Sequence, residues 1–127
     1  MFQKEGIEVV AGNLGGKLPA EFGSVKLFQA FHGSGITGGH ACGFVVKLSN
    51  KKIYFAGDTA LFSDMSLLHN EKIDLALLPI GDYFTMGIED AAKAVEMIKP
   101  KNVIPMHYDT FPPIRKDPMK FKKLVEN

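Results

Sequence analysis

The stretch from Ile73 to Ile80 constrains this chain more than any other. It reads Ile-Asp-Leu-Ala-Leu-Leu-Pro-Ile and is apolar almost throughout. Too short for a free-standing helix and lacking polar alternation, it predicts a strand buried on both faces. Such a strand belongs inside a layered sheet. The next segment supplies a cover: Ile88, Ala91, Ala92, Val95 and Ile98 recur at helical spacing, with Glu89 and Asp90 in the first turn and Pro100 after the last. Val103–Met106 follows as a strand, and Asp117-Pro118 opens a final helix over 118–125 by placing a cap before a proline at the first helical position. Strand, helix, strand, helix reads as α/β layering.

The first half is mostly strand. Val25–Phe31 is one candidate. Cys42–Leu48 and Lys52–Ala56 form a second pair, joined at Ser49-Asn50-Lys51 as a hairpin. Ile7–Val10 is a shorter candidate. Ser63 is placed to cap a short helix over 64–69, ended by Asn70. Met1–Glu5 resembles the last turn of a helix ended by Gly6, as though something preceded it. With no repeat and no linker, the 127 residues read as one α/β domain with a mixed sheet and flanking helices.

Composition narrows the function. Fifteen basic residues against fourteen acidic give a net charge of +1, so there is no electrostatic case for a nucleic-acid partner or an anionic membrane. No apolar run is long enough to span a bilayer, the N-terminus has no signal-like apolar region, and the single cysteine cannot form an internal disulfide; a cytoplasmic location is expected. With four histidines, His32, His40, His69 and His107, metal or acid–base chemistry draws on a short list.

One motif is misleading. Gly33-Ser34-Gly35-Ile36-Thr37-Gly38 matches G-x-G-x-x-G, and Asp58 stands 20 positions after the last glycine. A dinucleotide site needs that motif to open a helix whose N-terminus receives the pyrophosphate. Here Gly39 to Gly43 leads straight into the next strand, so the glycines read as a loop beside His32. Three residues each stand where a strand ends: His32, Asp58 and His107. Two imidazoles and a carboxylate are a partial ligand set for zinc, iron or manganese, although single His and Asp residues at strand ends also serve as caps. Isolated His69 suits a helix C-terminus and His40 a solvent-exposed loop, with a weaker role in substrate contact. Cys42 reads as a small buried hydrophobe. Asp82, Tyr83, Thr85 and Tyr108 are candidates for substrate contact or ligand support. Asp64, Asp74 and Asp109 read as cap or turn residues, and Arg115-Lys116 with Lys120, Lys122 and Lys123 as a solvated face.

The local strings carry further meaning together. They are Asn13-Leu14-Gly15-Gly16, Ala30-Phe31-His32-Gly33-Ser34-Gly35-Ile36, Gly43-Phe44-Val45-Val46, and Ile53-Tyr54-Phe55-Ala56-Gly57-Asp58-Thr59-Ala60-Leu61-Phe62-Ser63-Asp64-Met65. Then come Asp74-Leu75-Ala76-Leu77-Leu78-Pro79-Ile80-Gly81, Phe84-Thr85-Met86-Gly87, and Ile104-Pro105-Met106-His107-Tyr108 with Thr110-Phe111-Pro112. In order and over nearly the whole chain, these resemble the metallo-β-lactamase superfamily, in its branch of metal-dependent hydrolases related to ascorbate-6-phosphate lactonase.

The resemblance implies an αββα sandwich of which residues 1–127 form the C-terminal half. It implies a divalent metal, zinc first, with two ions in the complete fold. It implies that His32 matches the third-motif metal histidine, Asp58 the bridging aspartate and His107 the last metal histidine. The implied reaction is hydrolysis of a lactone, ester or phosphodiester in a small-molecule substrate by a hydroxide bridging the metals. The family's H-x-H-x-D-H signature does not occur in the chain. The expectation is therefore a split, truncated or degenerate copy, inactive alone. It would pair with a complementing N-terminal half or with itself through an unusually apolar surface. The other reading is a non-catalytic remnant or interaction module that keeps the fold.

Overall fold

The structure, a computed structural model, describes residues 5–126. Six strands occur in chain order, β1 (Lys17–Ala20), β2 (Gly23–Gln29), β3 (Cys42–Leu48), β4 (Lys51–Phe55), β5 (Leu75–Pro79) and β6 (Asn102–Met106), with helices α1 (Ile88–Ile98) and α2 (Pro118–Val125). A 3₁₀ helix, Ser63–Glu71, joins β4 to β5, and a single 3₁₀ turn, Pro112–Ile114, precedes α2. The strands form one sheet in sequence order: β1 to β4 are antiparallel, and β4, β5 and β6 run parallel. The switch follows from the connections. A two-residue link at Ser49 and Asn50, with Ser49 at φ +51°, folds β3 back onto β4. The 3₁₀ helix and α1 provide the crossovers that parallel pairs require.

The helices cover one face of the sheet. Register aligns Val45 with Tyr54 and Tyr54 with Ala76, and these residues, with Ala56 and Leu78, share a core with Met65 and Leu68 of the 3₁₀ helix, Ala91, Ala94 and Ile98 of α1, and Phe121 of α2. The alternate residues point the other way. One cross-strand row is Leu18, Val25, Val46, Ile53 and Leu75; the next is Leu27, Phe44, Phe55, Leu77 and Ile104. All of them are half-buried except Phe55 and Ile104, which are 40% and 49% exposed. Two rows of apolar side chains thus line the face of the sheet opposite the helices.

That face corrects one expectation. Ile73–Ile80 is not buried on both faces: Ala76 and Leu78 are fully buried, while Leu75 and Leu77 lie half-buried on the open side. Other local readings change too. Ile7–Val10 forms no strand and is exposed, whereas Lys17–Ala20, not expected as a strand, hydrogen-bonds along β2. The segment after Ser63 is 3₁₀ throughout; Phe62, not Ser63, occupies the cap position, no side chain caps it, and it runs past Asn70 to end on Lys72 at φ +54°. Cys42 is half-buried on the open face rather than in the core. Of the helical turn expected at Met1–Glu5, residues 1–4 lie outside the described residues; Gly6 does take a left-handed φ of +74°. Both α-helices form as expected, with Asp117 Oδ1 accepting the Met119 N–H at 2.9 Å.

Candidate metal centre

His32, Asp58 and His107 all stand at one edge of the sheet, beyond the ends of β2, β4 and β6. After β4, the Ala56 N–H still donates to Leu77 O at 3.1 Å, and Gly57 at φ +64° then turns the chain out, so Asp58 projects from the edge. The glycine is needed there because a side chain at that φ is strained. His107 follows β6 directly and is itself left-handed, at φ +53°. Its carbonyl lies against Gly81, where a Cβ would collide with it. The β5 and β6 ends can approach this closely only with glycine at that position.

Asp58 and His107 face each other, with Asp58 Oδ2 3.5 Å from His107 Nε2. That is longer than a good N–H···O hydrogen bond. The Nδ1 of His107 is buried without a hydrogen-bond partner. Nε2 is thus held toward the carboxylate at a separation that an ion between the two side chains could bridge, while Nδ1 has no partner among the described residues. His32 is exposed, and its Nδ1 lies 2.8 Å from Gly33 O. Nδ1–H donation to that carbonyl leaves the Nε2 lone pair for a ligand. Even so, among the described residues no three His, Cys, Asp or Glu side chains are grouped to hold a metal ion. The structure brings Asp58 and His107 together and leaves His32 outside that pair. His32 instead lines a shallow cavity with His40. His69 is exposed near the end of the 3₁₀ helix.

Thr59 ties these segments together and was not singled out by sequence. It is fully buried, and its Oγ1 accepts the Phe31 N–H at 3.0 Å, one residue before His32. The Ala60 N–H returns a bond to Phe31 O at 3.0 Å, and the Thr59 carbonyl accepts the Met86 N–H at 3.0 Å. One residue after Asp58 therefore fixes both the His32 segment and the loop after β5. Its place in Gly57-Asp58-Thr59, a small polar residue between apolar runs, was the only signal. Asp82 holds that loop: its carboxylate accepts Lys116 Nζ at 2.9 Å and the Tyr83 N–H at 2.8 Å. Lys116, then the Tyr83 amide, lowers the Asp82 pKa.

Residues 1–108 match the family model described as a beta-lactamase superfamily domain. The chain is 57% identical to a UPF0173 metal-dependent hydrolase of Symbiobacterium thermophilum over 95% of its own length and 56% of the relative's. It is 56% identical to one of Thermus thermophilus over 91% and 53%. Among solved structures it superposes on Igni18, described as a novel metallo hydrolase from Ignicoccus hospitalis, with a TM-score of 0.88 and 38% identity, covering 98% of this chain and 55% of that one. The chain spans about half the length of the curated relatives it matches.

Proposed function

We infer that this chain, which belongs to the beta-lactamase superfamily, is part of a metal-dependent hydrolase, contributing Asp58, His107 and His32 to a metal centre whose remaining ligands lie outside these 127 residues. The observation that carries this is the facing pair Asp58 and His107, with His107 Nε2 turned to the carboxylate at 3.5 Å, beyond a good hydrogen bond. Two imidazoles and a carboxylate suit zinc first among divalent ions. The bound metal would supply Lewis acidity and lower the pKa of a water toward neutrality. The chain's own residues do the positioning. Asp58 holds its carboxylate toward His107, Gly57 and Thr59 fix where Asp58 stands, and the Gly33 carbonyl sets the His32 tautomer. Lactones, esters and phosphodiesters are the substrate class proposed.

The open sheet face supports the two-part reading, because two apolar rows without a cover have the chemistry of a surface that packs against a second β layer. A second reading, a non-catalytic module, has one observation in its favour: no three-ligand group forms among the described residues. The test is complementation. The chain, alone and mixed with the remaining 44% of the Symbiobacterium relative, is assayed for bound metal and for hydrolysis of bis(p-nitrophenyl) phosphate and a simple lactone. The expected result is substoichiometric metal and no turnover alone, then metal and turnover on mixing, both lost in Asp58→Asn and His107→Ala. Stoichiometric dinuclear metal in the chain alone would refute the need for a second half. No metal on mixing would leave the non-catalytic module.

A further inference from the structure

We propose that Lys17, Lys26, Lys47 and Lys52 frame a binding site for a small anion carrying two linked phosphate groups, on the helix-bearing face of the sheet. The four lysines stand on four consecutive strands, β1 to β4. Register sets Lys17 opposite Lys26, Ser24 opposite Lys47, and Lys47 opposite Lys52. Lys26 also lies opposite Val45, and Val45 opposite Tyr54, both core residues. All four lysines therefore leave the sheet on the face that carries the helices, not on the apolar face assigned above to a second layer. A cavity of about 320 Å³ lies between them, with Ser24 and Val45 in its wall.

The charge around this cavity is unbalanced. Glu71, at the end of the 3₁₀ helix, takes Lys26 Nζ at 2.7 Å on one carboxylate oxygen and Lys52 Nζ at 2.8 Å on the other. Two ammonium groups are thereby fixed at one side of the frame. Lys17 and Lys47 have no ion-pair partner among the described residues. Four lysines against one carboxylate leave three positive charges in excess. Glu21 lines an adjoining hollow that shares Lys17, Ser24 and Lys47, and it lowers the excess to two. An inward lysine on an edge strand guards that edge against pairing, which accounts for Lys17. It does not account for Lys47 and Lys52, on inner strands.

Ser24 points to a ligand independently. It is 7% exposed, it lines both hollows, and its hydroxyl makes no side-chain hydrogen bond among the described residues. A buried hydroxyl calls for a partner. A phosphate oxygen in the cavity would accept its O–H beside the ammonium groups of Lys17 and Lys47. Neighbouring strands lie about 4.8 Å apart, so β1 to β4 span about 14 Å. One phosphate satisfies one side of such a frame, and two linked phosphates reach across it to the Lys26 and Lys52 pair.

The experiment titrates the whole metal-free chain at low salt with pyrophosphate, orthophosphate, ADP and a short oligothymidylate, read by amide NMR and calorimetry. Pyrophosphate is expected to shift the Ser24 and Lys47 amides and to bind about tenfold more tightly than orthophosphate. ADP binding at least as tightly as pyrophosphate makes the ligand a nucleotide's diphosphate; weaker binding makes it the free anion, and both uphold the site. Lys17→Gln/Lys47→Gln changes two exposed residues outside the Glu71 bridges and should weaken pyrophosphate about tenfold. Ser24→Ala should weaken it about fivefold, the worth of one hydrogen bond. Lys120→Gln/Lys122→Gln, on α2, removes the same charge elsewhere and should leave the affinity unchanged. Four results overturn the proposal: equal affinity for the two phosphates, no shift at Ser24 or Lys47, equal losses in the two lysine double variants, or tighter binding of the oligothymidylate than of pyrophosphate. None of these readouts involves metal or turnover, so the outcome is independent of the hydrolase reading.

Discussion

Replacing Thr59 with valine removes one oxygen from a fully buried side chain and keeps its shape. That oxygen accepts the Phe31 N–H and donates to Ala60 O at 2.9 Å. Valine leaves the Phe31 amide without its acceptor, and an unsatisfied buried donor costs about 1–3 kcal/mol. The Phe31 bond is only partly buried, which puts the expected loss at about 1–2 kcal/mol of unfolding free energy. Thr59→Ser is the control, since it keeps the hydroxyl and loses a methyl, at about 0.8–1 kcal/mol. The two variants should look similar in urea titrations and differ locally. Hydrogen exchange at the Phe31 amide should speed up about tenfold in the valine variant, the kinetic image of 1.4 kcal/mol, and not in the serine variant. In the complemented protein, loosening the segment before His32 should weaken metal binding by about tenfold in valine alone, the low end of what lost ligand support costs. If Thr59→Val stays within about 0.5 kcal/mol of the parent with unchanged Phe31 exchange, Thr59 does not couple the His32 and Asp58 segments.

Glu71 bridges Lys26 at 2.7 Å and Lys52 at 2.8 Å, and these two hydrogen bonds hold its pKa down to about 2. Its folded pKa lies below its unfolded one, so its stabilisation is complete above about pH 5 and is lost as pH falls toward 2. Because both lysines are about one-third exposed, solvent screening reduces this to about 1–2 kcal/mol; Glu71→Gln should lose that amount at pH 7 and show a flatter acid limb in thermal denaturation. The open sheet face should make the isolated chain self-associate, and Phe55→Glu with Ile104→Glu should suppress this; a monodisperse monomer in light scattering for the unaltered chain would contradict it.

Helices and inner strands were readable because their signals are local. Ile88 to Ile98 carries its own period and stop, and Asp117-Pro118 its own cap. The failures were of context. Ile7–Val10 has strand composition but no neighbouring strand to complete its hydrogen bonds, while Lys17–Ala20, with a proline and little patterning, gains structure from pairing with β2. Ile73–Ile80 reads as doubly buried because its residues are apolar on both sides, and sequence does not say that the second cover lies elsewhere. At the candidate site, the shared edge of His32, Asp58 and His107 was legible. The 3.5 Å separation of Asp58 from His107, the distance of His32 from that pair and the linking role of Thr59 depend on chain segments far apart in sequence.

Backbone conformation gives an independent reason to locate function at this edge. Among the described residues, seven non-glycine residues have positive φ. Three have ordinary structural duties: Ser49 turns a hairpin, while Lys72 and Lys99 end helices in the left-handed conformation such ends favour. The other four, Asp82, Tyr83, His107 and Asp109, cap no helix and close no hairpin, and all follow β5 or β6. Asp and His tolerate this region better than most residues, which lowers the cost without removing it; Tyr83 has no such tolerance. A fold under no functional demand could relieve the strain with glycine, as it does at Gly57 on the same edge. Asp82 uses that conformation structurally, through Lys116 and the Tyr83 N–H, so the imidazole of His107 and the phenol of Tyr83 are the side chains that the strain marks as candidates for function.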